Sequence, residues 1–154
     1  MEEREHSACG VGFVASRGGV ASHAHVQMGL LALCCVEHRG ACGADGLSSD
    51  GAGIMTDIPW DLLGVEKGRV AVAALFVPAR VEEQRQALAV LQETFAFHGL
   101  RITRITDVRT DDAVLGSEAR RSRPAIKHAI IARPEHCRTD MSFNRLLYLA
   151  KQDA

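Results

Sequence analysis

Glycine is distributed unevenly along this chain of 154 residues, and no other feature of the sequence constrains the fold as strongly. Twelve of the fourteen glycines lie before residue 69. Because glycine permits tight turns and close backbone contacts, the first part of the chain is predicted to be rich in turns. The rest is predicted to form ordinary packed helices and strands. Functional residues gather on loops held by a rigid scaffold, so special chemistry is expected in the first part.

Composition and charge exclude several classes of protein. Hydrophobic residues make up 47% of the chain and charged residues 24%, which are the values of a globular domain and not of a disordered chain. The net charge of −1 argues against a nucleic-acid-binding protein held by a basic surface. The balance hides an asymmetry, since residues 1–68 carry −5 and residues 69–154 carry +4. No apolar run is long enough to span a bilayer.

Cysteine usage indicates a cytoplasmic protein with reduced thiols. The five cysteines are an odd number, and the first residues lack the pattern of a secretory signal. A zinc site is the alternative interpretation of the cluster formed by Cys34, Cys35, His38 and Cys42. Adjacent cysteines on a helix point about 100° apart and rarely share a metal ion, so no metal site is expected.

Hydrophobic periodicity predicts five elements after residue 69. They are strands at 70–77, 100–108 and 125–132, and helices at 80–98 and from about Asp140. The continuously apolar strand 70–77 is expected to be buried on both faces. Gly99 is expected to cap the helix before it, and residues 109–123 to form a polar surface connection.

The first part is predicted to hold two strands, one helix and one long loop. These are a strand at 9–16, a helix from Ser22 to about Glu37, a loop at 39–53 and a strand at 53–58. The helix is expected to bury one face, which is formed by Val26, Gly29, Leu30, Leu33 and Cys34. A loop of this length in a compact domain is usually functional or mobile.

Cys9 is the candidate nucleophile, although a lone cysteine on a strand is more often a small hydrophobic residue. Ala8 and Gly10 are small neighbours that leave the thiol accessible. If the Ala8–Cys9 bond were cut, Cys9 would carry a free α-amine. An α-amine titrates near pH ~8 and can accept the thiol proton at neutral pH, so nucleophile and base would belong to one residue.

The loop from Asp45 to Gly53 is either a ligand-binding loop, for phosphate or calcium, or a turn that only supports a neighbouring site. It lacks the glycine spacing and the lysine of a phosphate-binding loop, and it lacks the carboxylate spacing of a calcium loop. It is therefore interpreted as a structured turn that supports a neighbouring site.

Arg39 either serves the end of the preceding helix or organises a pocket for a carboxylate substrate. The arginines of 120–123 are interpreted as a solvated connection.

Three motifs in the first part together resemble a known family. They are Ala8-Cys9-Gly10-Val11-Gly12-Phe13, Glu37-His38-Arg39-Gly40-Ala41 and Asp50-Gly51-Ala52-Gly53-Ile54. Their order and spacing resemble the start of the glutamate synthase large subunit, which is its class II glutamine amidotransferase, or glutaminase, domain. A weaker resemblance continues through Leu115-Gly116 and Pro124 to the final helix.

The resemblance implies a fold, a reaction and a set of site residues. The fold is α+β, an N-terminal-nucleophile hydrolase-like αββα sandwich that is incomplete here. Residues 1–8 would be a cleaved leader and 9–154 the amino-terminal part of the domain. Cys9 would attack the side-chain amide of L-glutamine, and the ammonia would pass to 2-oxoglutarate at a second site. Arg39, Gly40, Asp50 and Gly51 would bind substrate or support the pocket.

The resemblance also implies what this chain does not carry. FMN and an iron–sulfur cluster belong to the family's synthase domain, so no cofactor or metal is expected here. The expected partners are glutamine and either the missing carboxy-terminal part or a synthase subunit, with no nucleic acid and no membrane.

The chain is shorter than the family's glutaminase domain, so functions other than catalysis remain as alternatives. The family's domain is more than twice as long, and its oxyanion-forming Asn-Gly pair has no counterpart, since the only asparagine is Asn144. The alternatives are a non-catalytic binding or regulatory module and a relic. Unpartnered sheet edges, at 70–77 or 125–132, are expected to cause self-association.

Overall fold

The computed structural model describes residues 10–36, 40, 47 and 51–154. The chain divides into a first unit, Met1–Asp57 with Ala113–Arg121, and a second unit, Ile58–Asp112 with Ser122–Ala154. The elements in chain order are α1 (His23–Cys35), α2 (Trp60–Leu63), β1 (Val70–Val77), α3 (Val81–Phe97), β2 (Arg101–Asp107), a 3-10 turn (Asp112–Val114), α4 (Ser117–Ser122), β3 (Ala125–Ala132) and α5 (Asp140–Asp153).

The second unit is built on a three-stranded antiparallel sheet in the order β1-β3-β2. Ala129 of β3 pairs with Ala73 of β1 on one side and with Ile105 of β2 on the other. The three strands and two helices predicted after residue 69 are confirmed. The helices and the sheet form an α+β arrangement. The expectation that 125–132 could be an exposed edge is wrong, because β3 is the central strand.

The core of the second unit lies between one face of the sheet and two helices. Helix α3 lies against β1, β2 and α5. The buried members of the core are Phe95, Leu100, Ile131, Cys137, Phe143 and Ala150. Helices α3 and α5 supply three of these six residues, and each large apolar side chain buried in this way contributes about 1.5–3 kcal/mol.

Helix α3 ends in a glycine motif that connects it to β2. Gly99 has a φ of 70°, a left-handed conformation that glycine adopts without the steric cost of a β-carbon. The amide of Gly99 donates to the Ala96 carbonyl over 2.9 Å, and that of Leu100 donates to the Phe95 carbonyl over 2.8 Å. This is the Schellman pattern, with an apolar contact between Leu100 and Phe95 in the core. The predicted cap is confirmed.

Helix α5 is defined at both ends by polar contacts. Thr139 accepts a hydrogen bond from the Ser142 amide and forms a capping box with that residue. At the other end, Nε2 of His98 lies 2.7 Å from Oδ2 of Asp153. The carboxyl ends of α3 and α5 are therefore joined beside the core.

The second face of the sheet, which we call the open face, is only partly covered. It is formed by Val72, Ala74 and Phe76 of β1 and by Ile126, His128 and Ile130 of β3. Arg104 of β2 donates a hydrogen bond to the Leu63 carbonyl at the end where Ile130 is buried. At the other end Phe76 is 69% exposed. The prediction that strand 70–77 is buried on both faces is therefore wrong.

The first unit differs most from the sequence prediction. Residues 10–16 and 53–58 form no strand, and Val11 and Phe13 are 95% and 92% exposed. An alternating pattern favours an extended backbone, but a strand also needs a partner, and the described residues supply none. Helix α1 ends at Cys35, short of Glu37.

One further expectation for the first unit is wrong. None of the residues of α1 is buried, so the buried face predicted for this helix is not formed by the described residues. Leu30, at the centre of that face, is 48% exposed. The segment 109–123, predicted as a polar surface connection, also contains α4, in which no residue is buried and Arg121 pairs with Glu118 one turn earlier.

Candidate active site

In the sequence, helix α1 lies between the Cys9 motif and the His38-Arg39-Gly40 motif. Ser22 accepts a hydrogen bond from the Ala24 amide over 3.2 Å, which is the N-cap predicted from the sequence. A turn precedes the helix, with Gly19 at a φ of 66° and its amide donating to the Ser16 carbonyl. The chain is thereby directed from the segment after Cys9 into α1.

One contact joins the Asp50 to Ile54 motif to helix α1. Cγ2 of Ile54 lies 3.9 Å from the position that a β-carbon would occupy on Gly29. Gly29 is in the middle of α1, which precedes the His38-Arg39-Gly40 motif, and Ile54 ends the Asp50 to Ile54 motif. A β-carbon at position 29 would therefore be in ordinary van der Waals contact with Ile54.

Two of the five predicted site residues lie in the described part of the chain. Gly40 is exposed in a bend. Gly51 has a φ of 89°, and among the described residues, its chain neighbours apart, no atom lies within 4 Å of the place its β-carbon would take. A residue with a β-carbon is strained in that conformation, so the turn requires glycine although there is space for a side chain.

Cys9, Arg39 and Asp50 lie outside the described residues, as do His38 and Cys42. Their assignment therefore remains a prediction from the sequence. The residue after the candidate nucleophile, Gly10, is described and exposed.

The described cysteines are free. Cys34 and Cys35 are exposed, and Cys137 is buried in the core of the second unit. The described residues hold no group of three or more histidine, cysteine or acidic side chains that could bind a metal ion. They also include no helix that is long and apolar enough to cross a membrane.

A model of the class-II glutamine amidotransferases matches residues 9–154. The chain belongs to this family. The match begins at Cys9, so residues 1–8 are the only part of this amidotransferase chain that it leaves out.

Several curated proteins that are similar to this chain are described as glutamate synthases. Ferredoxin-dependent glutamate synthase 2 of Synechocystis is 36% identical over 161 residues, which cover 98% of this chain. A ferredoxin-dependent glutamate synthase of Arabidopsis thaliana, described as chloroplastic or mitochondrial, is 34% identical over 96% of the chain. The large chain of the NADPH glutamate synthase of Bacillus subtilis is 28% identical over 99%. The chain spans about 10% of the length of these relatives.

Proposed function

We propose that this chain is the amino-terminal part of a glutaminase domain that hydrolyses L-glutamine to glutamate and ammonia, with Cys9 as the nucleophile. The observation that carries the proposal is the family match, which begins at Cys9 and continues to residue 154. Family membership makes glutamine the substrate to test, and similarity to glutamate synthases makes 2-oxoglutarate the acceptor of the ammonia. A non-catalytic module is the alternative that the experiment below separates.

The proposed reaction uses two groups of one residue. After removal of residues 1–8, the α-amine of Cys9 accepts the thiol proton, and the sulfur attacks the side-chain carbonyl carbon of glutamine. The C–N bond breaks, the nitrogen takes the proton, and ammonia leaves a γ-glutamyl thioester. Water, deprotonated by the same amine, then attacks the thioester and releases glutamate and the free thiol.

The remaining site residues are proposed to shape the pocket. The guanidinium of Arg39 would donate paired hydrogen bonds to a carboxylate of the substrate. Gly40 and Gly51 would let the backbone turn close to it, and the left-handed φ of Gly51 supports that role. Asp50 would hold the turn in place. The donors that stabilise the tetrahedral oxyanion would come from another part of the domain.

Partners and location follow from the same proposal. The relatives are about ten times longer than this chain, so we assign FMN and the iron–sulfur cluster to a synthase portion outside it. The rest of the glutaminase domain or a synthase subunit would be its protein partner. Reduced thiols at Cys34, Cys35 and Cys137 support a cytoplasmic location, whereas plant relatives are described as chloroplastic.

The open face supports the αββα sandwich as the complete architecture. Among the described residues, α3 and α5 pack on one face of the sheet, while Phe76 and Ala74 on the open face are exposed. A second sheet packed on this face would bury them about 10 Å away from the first sheet. We propose that the rest of the domain supplies most of that second sheet.

Phe76→Gln is expected to reduce self-association of the isolated chain, because the exposed ring on the open face is lost. Sedimentation velocity over a range of protein concentrations measures this change. Phe97→Gln on α3 is the matched control, since Phe97 is 86% exposed but lies outside the sheet. Equal reduction by both variants would assign the association to exposed aromatic rings in general.

The terminus of the mature chain tests the proposed chemistry most directly. The intact mass of the untagged chain is expected to correspond to residues 9–154, because only then does Cys9 carry a basic amine. A chain that keeps residues 1–8 carries an amide nitrogen there, which cannot accept the thiol proton. Retention of these residues, together with no glutamine hydrolysis in the presence of the rest of the domain, would support the non-catalytic alternative.

A further inference from the structure

One end of the sheet in the second unit concentrates positive charge. The register pairs Ala132 with Val70 on one side and with Arg101 on the other. Arg69 immediately precedes β1 and Arg133 immediately follows β3, so all three strands place an arginine at this end. Lys67 and Arg138 lie in the adjoining turns.

A cavity of about 400 Å³ opens at this end. It is lined by four cationic residues, Lys67, Arg69, Arg133 and Arg138, and by a single acidic residue, Glu135. The volume falls within the usual range for small-molecule sites, about 300–1,000 Å³. Its walls come from two chain segments, one before β1 and the other between β3 and α5.

Arg133 holds these two segments together. Its Nε donates to the Cys137 carbonyl over 2.7 Å, and its Nη1 donates to the Gly68 carbonyl over 3.0 Å. Nη1 also lies 2.7 Å from Oδ1 of Asp140, and the guanidinium lies 5.6 Å from the centre of the Phe143 ring. The side chain is only 16% exposed. A guanidinium fixed in this way needs little further ordering to bind a ligand.

Carboxylates nearby neutralise much of the positive charge, and one of them, Glu135, lines the cavity itself. Glu66 lies 3.8 Å from Nε of Arg69, and Asp140 pairs with Arg133. Arg138 is exposed, and no carboxylate pairs with it among the described residues. Helix α5 begins two residues later, so the positive end of its dipole adds to the potential there.

We propose that this cavity binds a small molecule through a doubly charged oxyanion, either a phosphate or a pair of carboxylates, with Arg138 as the contact that ligand binding adds. Arginine suits either group because its planar donors match both geometries. The site belongs to the second unit alone and contains none of the residues assigned to glutamine hydrolysis. It is therefore independent of the proposed function.

Titration calorimetry on the full chain tests the site with two probes, inorganic phosphate and succinate. At least one of them is expected to bind with a Kd of about 1 mM or lower. Arg138→Ala is expected to weaken that binding about threefold to fivefold. Arg85→Ala is the matched control, because Arg85 is exposed on α3 and lies outside the cavity.

The two probes distinguish the source of the oxyanion. Binding of phosphate alone assigns the site to phosphorylated ligands, and binding of succinate alone assigns it to dicarboxylates. Both results support the proposal if Arg138→Ala weakens binding and Arg85→Ala does not. Equal weakening by the two variants would overturn it, because surface charge in general would then attract the ion. Absence of saturable binding of both probes would overturn it as well.

Discussion

Cys9 is expected to react with a chloroketone analogue of glutamine at least ~100-fold faster than the other thiols of the chain. A nucleophile activated by an adjacent base reacts as a thiolate at neutral pH, whereas Cys34 and Cys35 are exposed thiols with no assigned base. Peptide mapping after partial labelling measures the relative rates. In the presence of the rest of the domain, Cys9→Ala is expected to lower glutamine hydrolysis at least ~1000-fold.

Cys34→Ala is the matched control for this prediction. It removes an exposed thiol from α1 without touching the candidate nucleophile, and alanine favours a helix. Labelling of Cys9 and hydrolysis of glutamine should both stay unchanged. If Cys9 reacts no faster than Cys34, the thiol is not activated and the nucleophile assignment is wrong.

Phe143→Ala is expected to destabilise the second unit by about 3–5 kcal/mol, which is the usual cost of removing a buried ring from a core. Phe143 is 5% exposed and lies in the cluster with Phe95 and Ile131. Its ring also lies below the guanidinium of Arg133. Total stabilities of small domains are about 5–15 kcal/mol, so the loss should be evident in urea unfolding followed by circular dichroism.

Phe97→Ala tests whether burial causes this effect. Phe97 is the same residue type, also lies on a helix of the second unit and is 86% exposed. Its replacement is expected to change the free energy of unfolding by less than ~1 kcal/mol. Similar losses in the two variants would show that the packing between α3, α5 and the sheet does not dominate the stability.

The second unit was predictable from the sequence because its signals are local. The apolar runs 70–77 and 125–132 each encode a strand, and the hydrophobic periodicity of 80–98 together with Gly99 encodes a helix and its end. Strand order is a different matter. It depends on which strands pair, so the central position of β3 could not be read from its own residues, although 125–132 is as apolar as a central strand requires.

The first unit was less predictable because its residues depend on distant partners. The alternation of Val11 and Phe13 predicted a strand that the structure does not contain, because a strand exists only where another strand lies beside it. The same holds for the face of α1 around Leu30, since helix periodicity shows which side could be buried and not what buries it.

The cationic cavity was not predicted from the sequence because its residues are far apart along the chain. Arg69 and Arg133 are 64 positions apart and each looks like an ordinary surface residue. A signal was present, since both flank the predicted strands directly. Antiparallel pairing of 70–77 with 125–132 would have placed the start of one strand beside the end of the other.

The order β1-β3-β2 also has a consequence for biosynthesis. The strand that emerges last from the ribosome lies between the two that precede it, and among the described residues neither earlier strand has another partner. No ladder of this sheet can therefore form until translation has passed residue 132. Up to that point, the nascent chain carries the apolar strand 70–77 with its hydrogen-bonding groups unpaired. Chaperone contact is expected to be greatest in that interval.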